Sequence, residues 1–328
     1  MKRIQEAPVS LSQSTDFSLP LTLPWGPLES PVMPGTTFFS RLSSSADPWS
    51  KRSPFLKKSL DDITLQYDNG DGGTATYQSS ETTMSSTSSE HLSLAFGITV
   101  GNQWLNVSVT GGYDKDTLEN SDGRKFSMRA SFRCGSVMLL EKPRLSKEAR
   151  ILLKYGGGIE EFKKRYGDYY VAGYRLGGDA GVLVSESRSS KAVNERLSVT
   201  PSAKLLFITV SKTYEKFFSS ASKESCYRIH GFDTLENQSI PAEAPISVYS
   251  ESGIADLLTK AAVLEKHCLK LAERAYRQIE ATGLRSGQEV EAQILVELLR
   301  SNLVVEICLL PICRLREVIE WSISKDII

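Results

Sequence analysis

The most informative segment of the chain runs from Leu145 to Gly178 and reads LSKEARILLKYGGGIEEFKKRYGDYYVAGYRLGG. Ser146 carries a side-chain oxygen that can cap the first turn of a helix. Apolar residues then recur at helical spacing: Leu152, Leu153, Ile159, Phe162 and Tyr166. Three consecutive glycines, 156–158, interrupt this pattern, and residues 169–184 are typical of an extended strand. The stretch therefore predicts two short helices followed by a strand.

A five-residue aromatic box, Tyr166-Gly167-Asp168-Tyr169-Tyr170, closes the second helix, and the pair Gly177-Gly178 follows it in the strand. This arrangement resembles the signature of the membrane-attack-complex/perforin (MACPF) family. In that signature a helix ends in Tyr/Phe-Gly-Thr-His-Tyr, and a strand closing with Gly-Gly follows. Asp168 and Tyr169 stand where the family usually has Thr and His. The resemblance covers residues 60–245 and is nearest to fungal MACPF-like proteins without signal peptides.

The resemblance implies an α+β fold, in which a bent antiparallel central β-sheet of MACPF type is flanked by helix clusters. In the family the glycine pair is associated with a bend of the central sheet that opens during pore assembly. The candidate signature and hinge residues implied in this way are Tyr166, Gly167, Tyr169, Tyr170, Gly177 and Gly178. Paired glycines weaken a strand, but they are tolerated where a sheet bends or another backbone approaches closely. A simple sharp turn at the pair is the alternative interpretation.

Alternation of apolar and polar residues predicts further strands, because successive side chains of a strand point to opposite faces. The alternation runs through residues 92–109 and 126–133. Residues 227–234 resemble the closing strand of the MACPF domain. The glycine- and aspartate-rich segment 69–73 is predicted to form a hairpin tip rather than a calcium loop.

The resemblance also implies two segments that convert into membrane hairpins, one within residues 92–134 and one within residues 180–226. A membrane-spanning strand needs about nine to eleven residues that alternate between apolar and polar. Residues 92–109 meet this requirement. In the second segment, residues 185–196 are strongly polar and residues 205–208 are continuously apolar. A form of the fold that does not insert into membranes therefore stays open.

Composition suggests three regions along the chain. Residues 1–54 are rich in Ser and Pro, and we expect a disordered or loosely docked arm. Residues 55–247 are the predicted MACPF-like domain, and residues 248–328 the predicted helical C-terminal region. In the latter, an apolar stripe at helical spacing is typical of core or bundle packing, and Gly283 and Gly287 mark a break before a second helix.

Several function classes have no support in the sequence. Lys and Arg total 39, as do Asp and Glu, so charge does not favour nucleic acid. The five cysteines and three histidines show neither a disulfide framework nor metal-ligand spacing. The triple glycine is not followed by the Lys-Ser/Thr of a P-loop, and no hydrolase or dinucleotide-binding motif is present. We therefore expect no enzyme, no cofactor and no metal site.

The function predicted from the resemblance is that of a membrane-binding, oligomeric pore former of MACPF type. Its expected partners are a lipid membrane, further copies of the same chain and a recruiting protein. The N-terminus does not resemble a secretory signal, so a cytoplasmic location or non-classical release is expected. Two alternatives stay open: a non-lytic MACPF-like scaffold, and an intracellular interaction protein acting through its C-terminal helices.

Overall fold

The computed structural model describes residues 20–25, 32–42, 47–70, 74–82, 125–186, 195–199, 226–235, 238–240, 246–247 and 270–326. The alternating segment 92–109 and the part of the C-terminal helical stripe before residue 270 lie outside these residues.

Twelve strands are present within the described ranges. In chain order they are β1 (Leu21–Pro24), β2 (Thr37–Phe38), β3 (Leu65–Asp68), β4 (Thr74–Thr82), β5 (Lys125–Leu139), β6 (Tyr169–Glu186), β7 (Glu195–Val199), β8 (Cys226–Asp233), β9 (Gln238–Ile240), β10 (Ile246–Ser247), β11 (Glu289–Val290) and β12 (Val304–Pro311). The strands predicted at 126–133, 169–184 and 227–234 are confirmed as β5, β6 and β8.

The helices within the same ranges are α1 (Lys57–Asp61), α2 (Lys147–Tyr155), α3 (Gly158–Tyr166), α4 (Leu271–Thr282), α5 (Ala292–Arg300) and α6 (Arg316–Asp326), with 3-10 turns at Ser40–Leu42 and Ile312–Arg314. The predicted cap of α2 is confirmed, because the Ser146 hydroxyl accepts a 3.2 Å hydrogen bond from the Ala149 N–H. The predicted break between α2 and α3 is also confirmed, with Gly157 at a φ of 112°. None of the described helices combines the length and apolar character needed to cross a bilayer.

All described strand pairings are antiparallel. The main path of the sheet follows the order β1-β12-β6-β5-β3-β11, and the other strands attach beside it. The long strands β5 and β6, of 15 and 18 residues, pair with each other along most of their length. The predicted α+β class, with a central antiparallel sheet and flanking helices, is confirmed.

Helices cover both faces of this sheet. One buried cluster joins α4 and α5 to the sheet and includes Leu271, Ala275, Leu298, Phe132, Leu176 and Ile307. A second cluster joins α2, α3 and α6 to the sheet and includes Leu153, Phe162, Val318, Tyr170 and Ala172. Tyr170 faces the second cluster and its neighbour Val171 the first, as the alternation of a strand requires. The long strands therefore lie between two helix layers.

Residues 1–54 are predicted to be a disordered or loosely docked arm, and their described part is docked on the sheet. It supplies β1, which pairs with β12, and β2, which pairs with β6. The Trp25 ring packs edge-on against Tyr174 with ring centroids 5.8 Å apart, and Trp49 packs against Phe38 at 5.1 Å. This segment builds no core of its own, but its aromatic side chains bury apolar surface on a sheet formed by distant residues. Local composition does not contain that information.

Residues 248–328 are predicted as a helical region, and their described part, 270–326, is helical only in part. Helices α4, α5 and α6 agree with the prediction, and Gly283, at a φ of 72°, ends α4. The apolar run between α5 and α6, however, forms strand β12, which lies between β1 and β6. Most of β12 alternates between buried and half-buried side chains. This pattern is that of a strand with one face fully buried and the other partly exposed. The described part of this region therefore shares one sheet with the described part of residues 55–247.

Candidate functional site at the sheet junction

The residues of the aromatic box occupy the turn from α3 into β6. Tyr166, Tyr169 and Tyr170 are all buried. Gly167 lies between helix and strand at a φ of 100°, and a Cβ atom there would lie 2.6 Å from the Phe38 carbonyl oxygen. Only glycine fits both this backbone angle and this approach. The box therefore fixes the start of the longest strand against the N-terminal segment.

Asp168, which departs from the family signature, binds that N-terminal segment directly. Its carboxylate accepts a 2.7 Å hydrogen bond from the Ser40 N–H and a second hydrogen bond from the Ser40 hydroxyl. The Asp168 N–H donates to the Phe38 carbonyl at 3.0 Å. A carboxylate satisfies two donors here, which is the reason for an acidic residue at this position.

Tyr170 and Tyr174, both in the first half of β6, differ in their hydrogen bonding. The Tyr174 hydroxyl donates a 2.5 Å hydrogen bond to the Val32 carbonyl. The Tyr170 hydroxyl is buried and has no hydrogen-bond partner within the described part of the chain. Burial raises the pKa of both phenols above the ordinary value, so both stay neutral.

The glycine pair lies in the interior of β6, where both long strands change their outer neighbours. Residues 169–176 of β6 pair with β12, whereas residues 180–186 pair with β8. Likewise, residues 136–139 of β5 pair with β3, whereas residues 125–133 pair with β4. The changes of partner on both strands fall at the same level of the sheet. We call this row of residues, 132–135 of β5 and 176–179 of β6, the junction.

The hairpin predicted with its tip at residues 69–73 is not formed by the strands on either side, and residues 71–73 themselves lie outside the described ranges. Strands β3 and β4, on either side of this segment, do not pair with each other but follow one another along the same edge of β5. Asp68 pairs with Ser136, and Thr74 pairs with Arg133. The edge of β5 is thus covered by two strands, β3 and β4, with a break between them at the junction. A turn-forming composition alone does not distinguish an interruption from a reversal of direction.

Register shifts in two further strands fall at the same row. Between β5 and β6, Arg133 pairs with Gly177 and Gly135 with Leu176, which leaves Cys134 without a partner position. Between β12 and β6, Val304 pairs with Leu176 and Glu306 with Arg175, so Val305 is the extra residue. Such bulges bend a strand and increase its local twist. The junction therefore combines two bulges, an interrupted strand and a change of neighbours.

The two glycines allow close approach on two different sides. A Cβ atom at Gly177 would lie 1.9 Å from the Phe132 carbonyl oxygen of the adjacent strand. A Cβ atom at Gly178 would lie 2.8 Å from Leu271 Cδ1 and 2.9 Å from Leu235 Cγ. The structure thus places both glycines inside a strand and not in a surface turn. Their action as a hinge stays a prediction.

Helix α4 covers the junction on the Gly178 side. Tyr276 packs edge-on against Phe132, with ring centroids 5.2 Å apart. Arg274 forms a 2.5 Å ion pair with the buried Asp233 at the end of β8. Gln278 donates a 3.2 Å hydrogen bond to the Leu235 carbonyl. The helix is therefore held by apolar, ionic and polar contacts at the point where β8 leaves β6.

A group of charged side chains lies on the opposite face, since Arg133 follows the core residue Phe132 in β5. The Arg133 guanidinium contacts both Asp179 oxygens, with Nη1–Oδ1 at 2.9 Å and Nη2–Oδ2 at 3.2 Å. It also contacts Glu306 Oε1, from Nε at 2.8 Å and from Nη2 at 2.6 Å. Arg175 reaches Glu306 Oε2 at 3.4 Å. Sequence reasoning missed this group, because its members are separated by up to 173 positions.

Burial and charge act in opposite directions on Arg133. Burial alone lowers the pKa of its guanidinium, but the carboxylates of Asp179 and Glu306 overcome this and hold the pKa above the ordinary value. In the same row, burial raises the pKa of the Cys134 thiol to about 12. The junction therefore contains ion-paired side chains and a neutral thiol. Among its described residues, none is activated for acid–base or nucleophilic chemistry.

The described parts of the two predicted hairpin segments lie beside this junction. The first segment ends in β5, and its residues before 125 lie outside the described ranges. The second begins in β6 and ends at the first residue of β8, and it contains β7. Strand β7 pairs with β4 rather than with its neighbours in the chain, β6 and β8.

No known protein-family profile matches the chain, and no curated protein sequence matches it. Among solved structures, the chain is similar to a MAC/Perforin-domain protein from Bacteroides thetaiotaomicron, with 13% identity, a TM-score of 0.30, and coverage of 73% of this chain and 58% of that one. A non-hemolytic pneumolysin from Streptococcus pneumoniae has 11% identity, a TM-score of 0.34, and coverage of 88% and 62%. The cytotoxin suilysin from Streptococcus suis has 12% identity, a TM-score of 0.29, and coverage of 89% and 60%.

The chain spans about three fifths of the length of each of these proteins. The three named organisms are bacteria, so the predicted fungal subtype is not tested by them. At such low identities and TM-scores the likeness does not assign the chain to a family, and its activity is a matter for proposal.

Proposed function

We propose that this chain is a membrane-binding protein of MACPF type that assembles into oligomeric pores and carries out no catalysis. The observation that supports this proposal most directly is the junction. Two bulges, an interrupted strand and the pair Gly177-Gly178 fall in one row across the centre of the sheet. A sheet changes curvature most easily where its ladder is already interrupted.

The topology supports the second part of the proposal, the conversion of two segments into hairpins. The first predicted segment comprises most of the connection between β4 and β5 together with the first part of β5, and these strands already pair with each other. The second comprises the end of β6, the connection to β8 and the first residue of β8, and β6 and β8 also pair with each other. Extending both ladders would create two adjacent hairpins in the order β4-β5-β6-β8. A barrel formed in this way needs alternating apolar and polar residues and neighbouring copies to close its edges.

The pairing of β7 with β4 opposes this conversion. Residues 195–199 would have to leave β4 before the second segment could extend from β6 and β8. Ser79 and Leu197 are partner positions in the β4–β7 ladder. A disulfide between them would hold β7 in place, because partner positions on adjacent strands are close enough for such a bond.

The test uses the full chain with liposomes of phosphatidylcholine, phosphatidylserine and cholesterol that contain a self-quenching dye. We expect the wild-type chain to release dye and to form ring particles visible by electron microscopy. The variant Ser79→Cys/Leu197→Cys should release no dye when oxidised and should recover release when reduced. The matched control is Gln66→Cys/Glu289→Cys, a partner pair at the β3–β11 edge that the conversion leaves in place.

Each other outcome favours a different interpretation. Lipid binding without leakage or rings contradicts pore formation and favours the non-lytic scaffold. Absence of lipid association contradicts both and favours the intracellular interaction protein. The apolar residues of α4 and α5, including Ala275 and Leu298, are already buried against the sheet. Their packing therefore gives no support to a partner bundle on that face of these helices.

A further inference from the structure

We propose that Arg133 is a positioning residue that locks the junction, by holding the parts of the sheet on either side of it together. The role of this lock in membrane insertion depends on the proposed function, but the lock itself does not. It is a property of the described fold and can be measured on the protein in solution.

The geometry places one guanidinium across the interrupted row. Asp179 lies on β6 directly before the part that pairs with β8, and its carbonyl accepts a hydrogen bond from the Thr234 N–H that follows β8. Glu306 lies on β12, which pairs with β6 only on the other side of the junction. Arg133 on β5 binds both carboxylates at distances of 2.6–3.2 Å. A single side chain thus connects three strands where the backbone ladder is disturbed by bulges.

The three charged side chains of this connection are largely shielded from water. The side chains of Arg133, Asp179 and Glu306 are exposed by only 18%, 9% and 18%. Water therefore screens the contacts weakly, and Arg133 compensates charge on both carboxylates. The planar guanidinium can bind two carboxylates along different edges, whereas a lysine ammonium acts as a point charge.

Other contacts in the junction do not replace this one. Arg175 reaches only Glu306, at 3.4 Å, and its side chain is 51% exposed. Asp179 and Thr234 form two reciprocal hydrogen bonds. The Asp179 N–H donates to the Thr234 hydroxyl, and the Thr234 N–H donates to the Asp179 carbonyl, both at 2.9 Å. These bonds join β6 to the end of β8 but do not reach β12. Arg133, by contrast, contacts a carboxylate on each side.

Hydrogen exchange followed by mass spectrometry tests the lock without a membrane. Two amides report on it: Gly177 N–H, which donates to the Leu303 carbonyl at 2.8 Å, and Thr234 N–H. The reference amides are Val171 N–H, which donates to Thr36, and Tyr67 N–H, which donates to Gln288. In Arg133→Met, peptides with the two reporter amides should exchange about tenfold faster or more, while reference peptides change by less than about twofold.

Two milder variants keep the test decisive if Arg133→Met folds poorly. Arg133→Lys retains the positive charge but not the planar guanidinium that donates along two edges, and Glu306→Gln retains the Arg133–Asp179 pair. We expect intermediate acceleration at the reporter amides in both variants. Arg277→Met is the matched control, because Arg277 forms an exposed ion pair with Glu273 within α4; it should leave reporter and reference peptides unchanged.

Equal acceleration of reporter and reference peptides would show that Arg133 contributes only to global stability and would overturn the proposal. So would unchanged exchange at the reporter amides in all three variants of the cluster. If the wild-type chain releases no dye from liposomes but the reporter amides respond as expected, the lock stands and the pore-forming function fails. If the wild-type chain releases dye and the reporter amides also respond as expected, Arg133→Lys should release dye faster than the wild type.

Discussion

The carbonyl oxygen of Phe132 lies so close to Gly177 that a Cβ atom at position 177 would be only 1.9 Å from it. Both atoms belong to paired backbones, so neither can move without breaking the β5–β6 ladder. Gly177→Ala should therefore lower the free energy of unfolding by about 3 kcal/mol, the upper end of the usual overpacking cost. Urea denaturation followed by circular dichroism measures the loss.

The neighbouring glycine provides the matched comparison. A Cβ atom at Gly178 would meet Leu271 Cδ1, Leu235 Cγ and Leu235 Cδ1, which are side-chain atoms and can shift without breaking the β5–β6 ladder. Gly178→Ala should therefore cost about 1 kcal/mol. If it destabilises as much as Gly177→Ala, the approach of the β5 backbone is not the reason for glycine at position 177.

Tyr170 and Tyr174 should respond in opposite ways to removal of the hydroxyl group. Tyr174→Phe leaves the Val32 carbonyl without its donor and should lower the free energy of unfolding by about 1–3 kcal/mol. Tyr170→Phe removes a buried hydroxyl that has no partner in the described residues, so stability should stay the same or rise. Thermal unfolding of the two variants beside the wild type decides the point. A comparable loss in both would mean that the Tyr170 hydroxyl is satisfied in solution.

Asp168 should contribute to stability through the N-terminal segment. Its carboxylate accepts hydrogen bonds from both the N–H and the hydroxyl of Ser40. Asp168→Ala should lower the free energy of unfolding by about 2 kcal/mol, whereas Asp168→Asn, which keeps one acceptor, should lower it by less. The exposed Asp62 serves as control, and Asp62→Ala should change urea denaturation little. Equal effects at positions 168 and 62 would contradict the proposed attachment of the segment.

Stability should decrease at alkaline pH because of Cys134. Burial raises the pKa of this thiol from 9.0 to about 12, so the unfolded chain loses the proton first. Above pH 9 the unfolded state binds fewer protons than the folded state, and the free energy of unfolding falls as pH rises toward 12. Urea midpoints measured between neutral pH and pH 10.5 under reducing conditions should show this fall. Cys134→Ala should have a shallower dependence, and an identical slope would exclude Cys134 as a cause.

Predictions from the sequence were accurate where local rules decide the structure. The Ser146 cap, the break at Gly157 and the strand character of β5 each depend on a few consecutive residues, and each was confirmed. Predictions failed where a segment depends on a distant partner. The segment containing Trp25 and the run that forms β12 gain their structure by pairing with residues far away in the chain.

The candidate site divides in the same way. The glycine pair was visible as a local departure from strand composition, and its place inside β6 agrees with a role in the sheet. The link between Arg133 and Glu306 was invisible, because a single arginine in an alternating strand is typical of a solvent-exposed face. The connection made by segment 69–73 was misread, because turn residues predict a change of direction and not the strand that each side pairs with.

By itself the sequence determined where helices and strands begin and end around residues 145–178, because capping, periodicity and glycine act over a few neighbouring positions. Only the tertiary structure decided that β3 and β4 share one edge of β5, that β12 joins the sheet, and that Arg133 meets two carboxylates at the junction. Strand pairing and charge compensation are long-range interactions, and their free energy depends on which surfaces meet once the chain has folded.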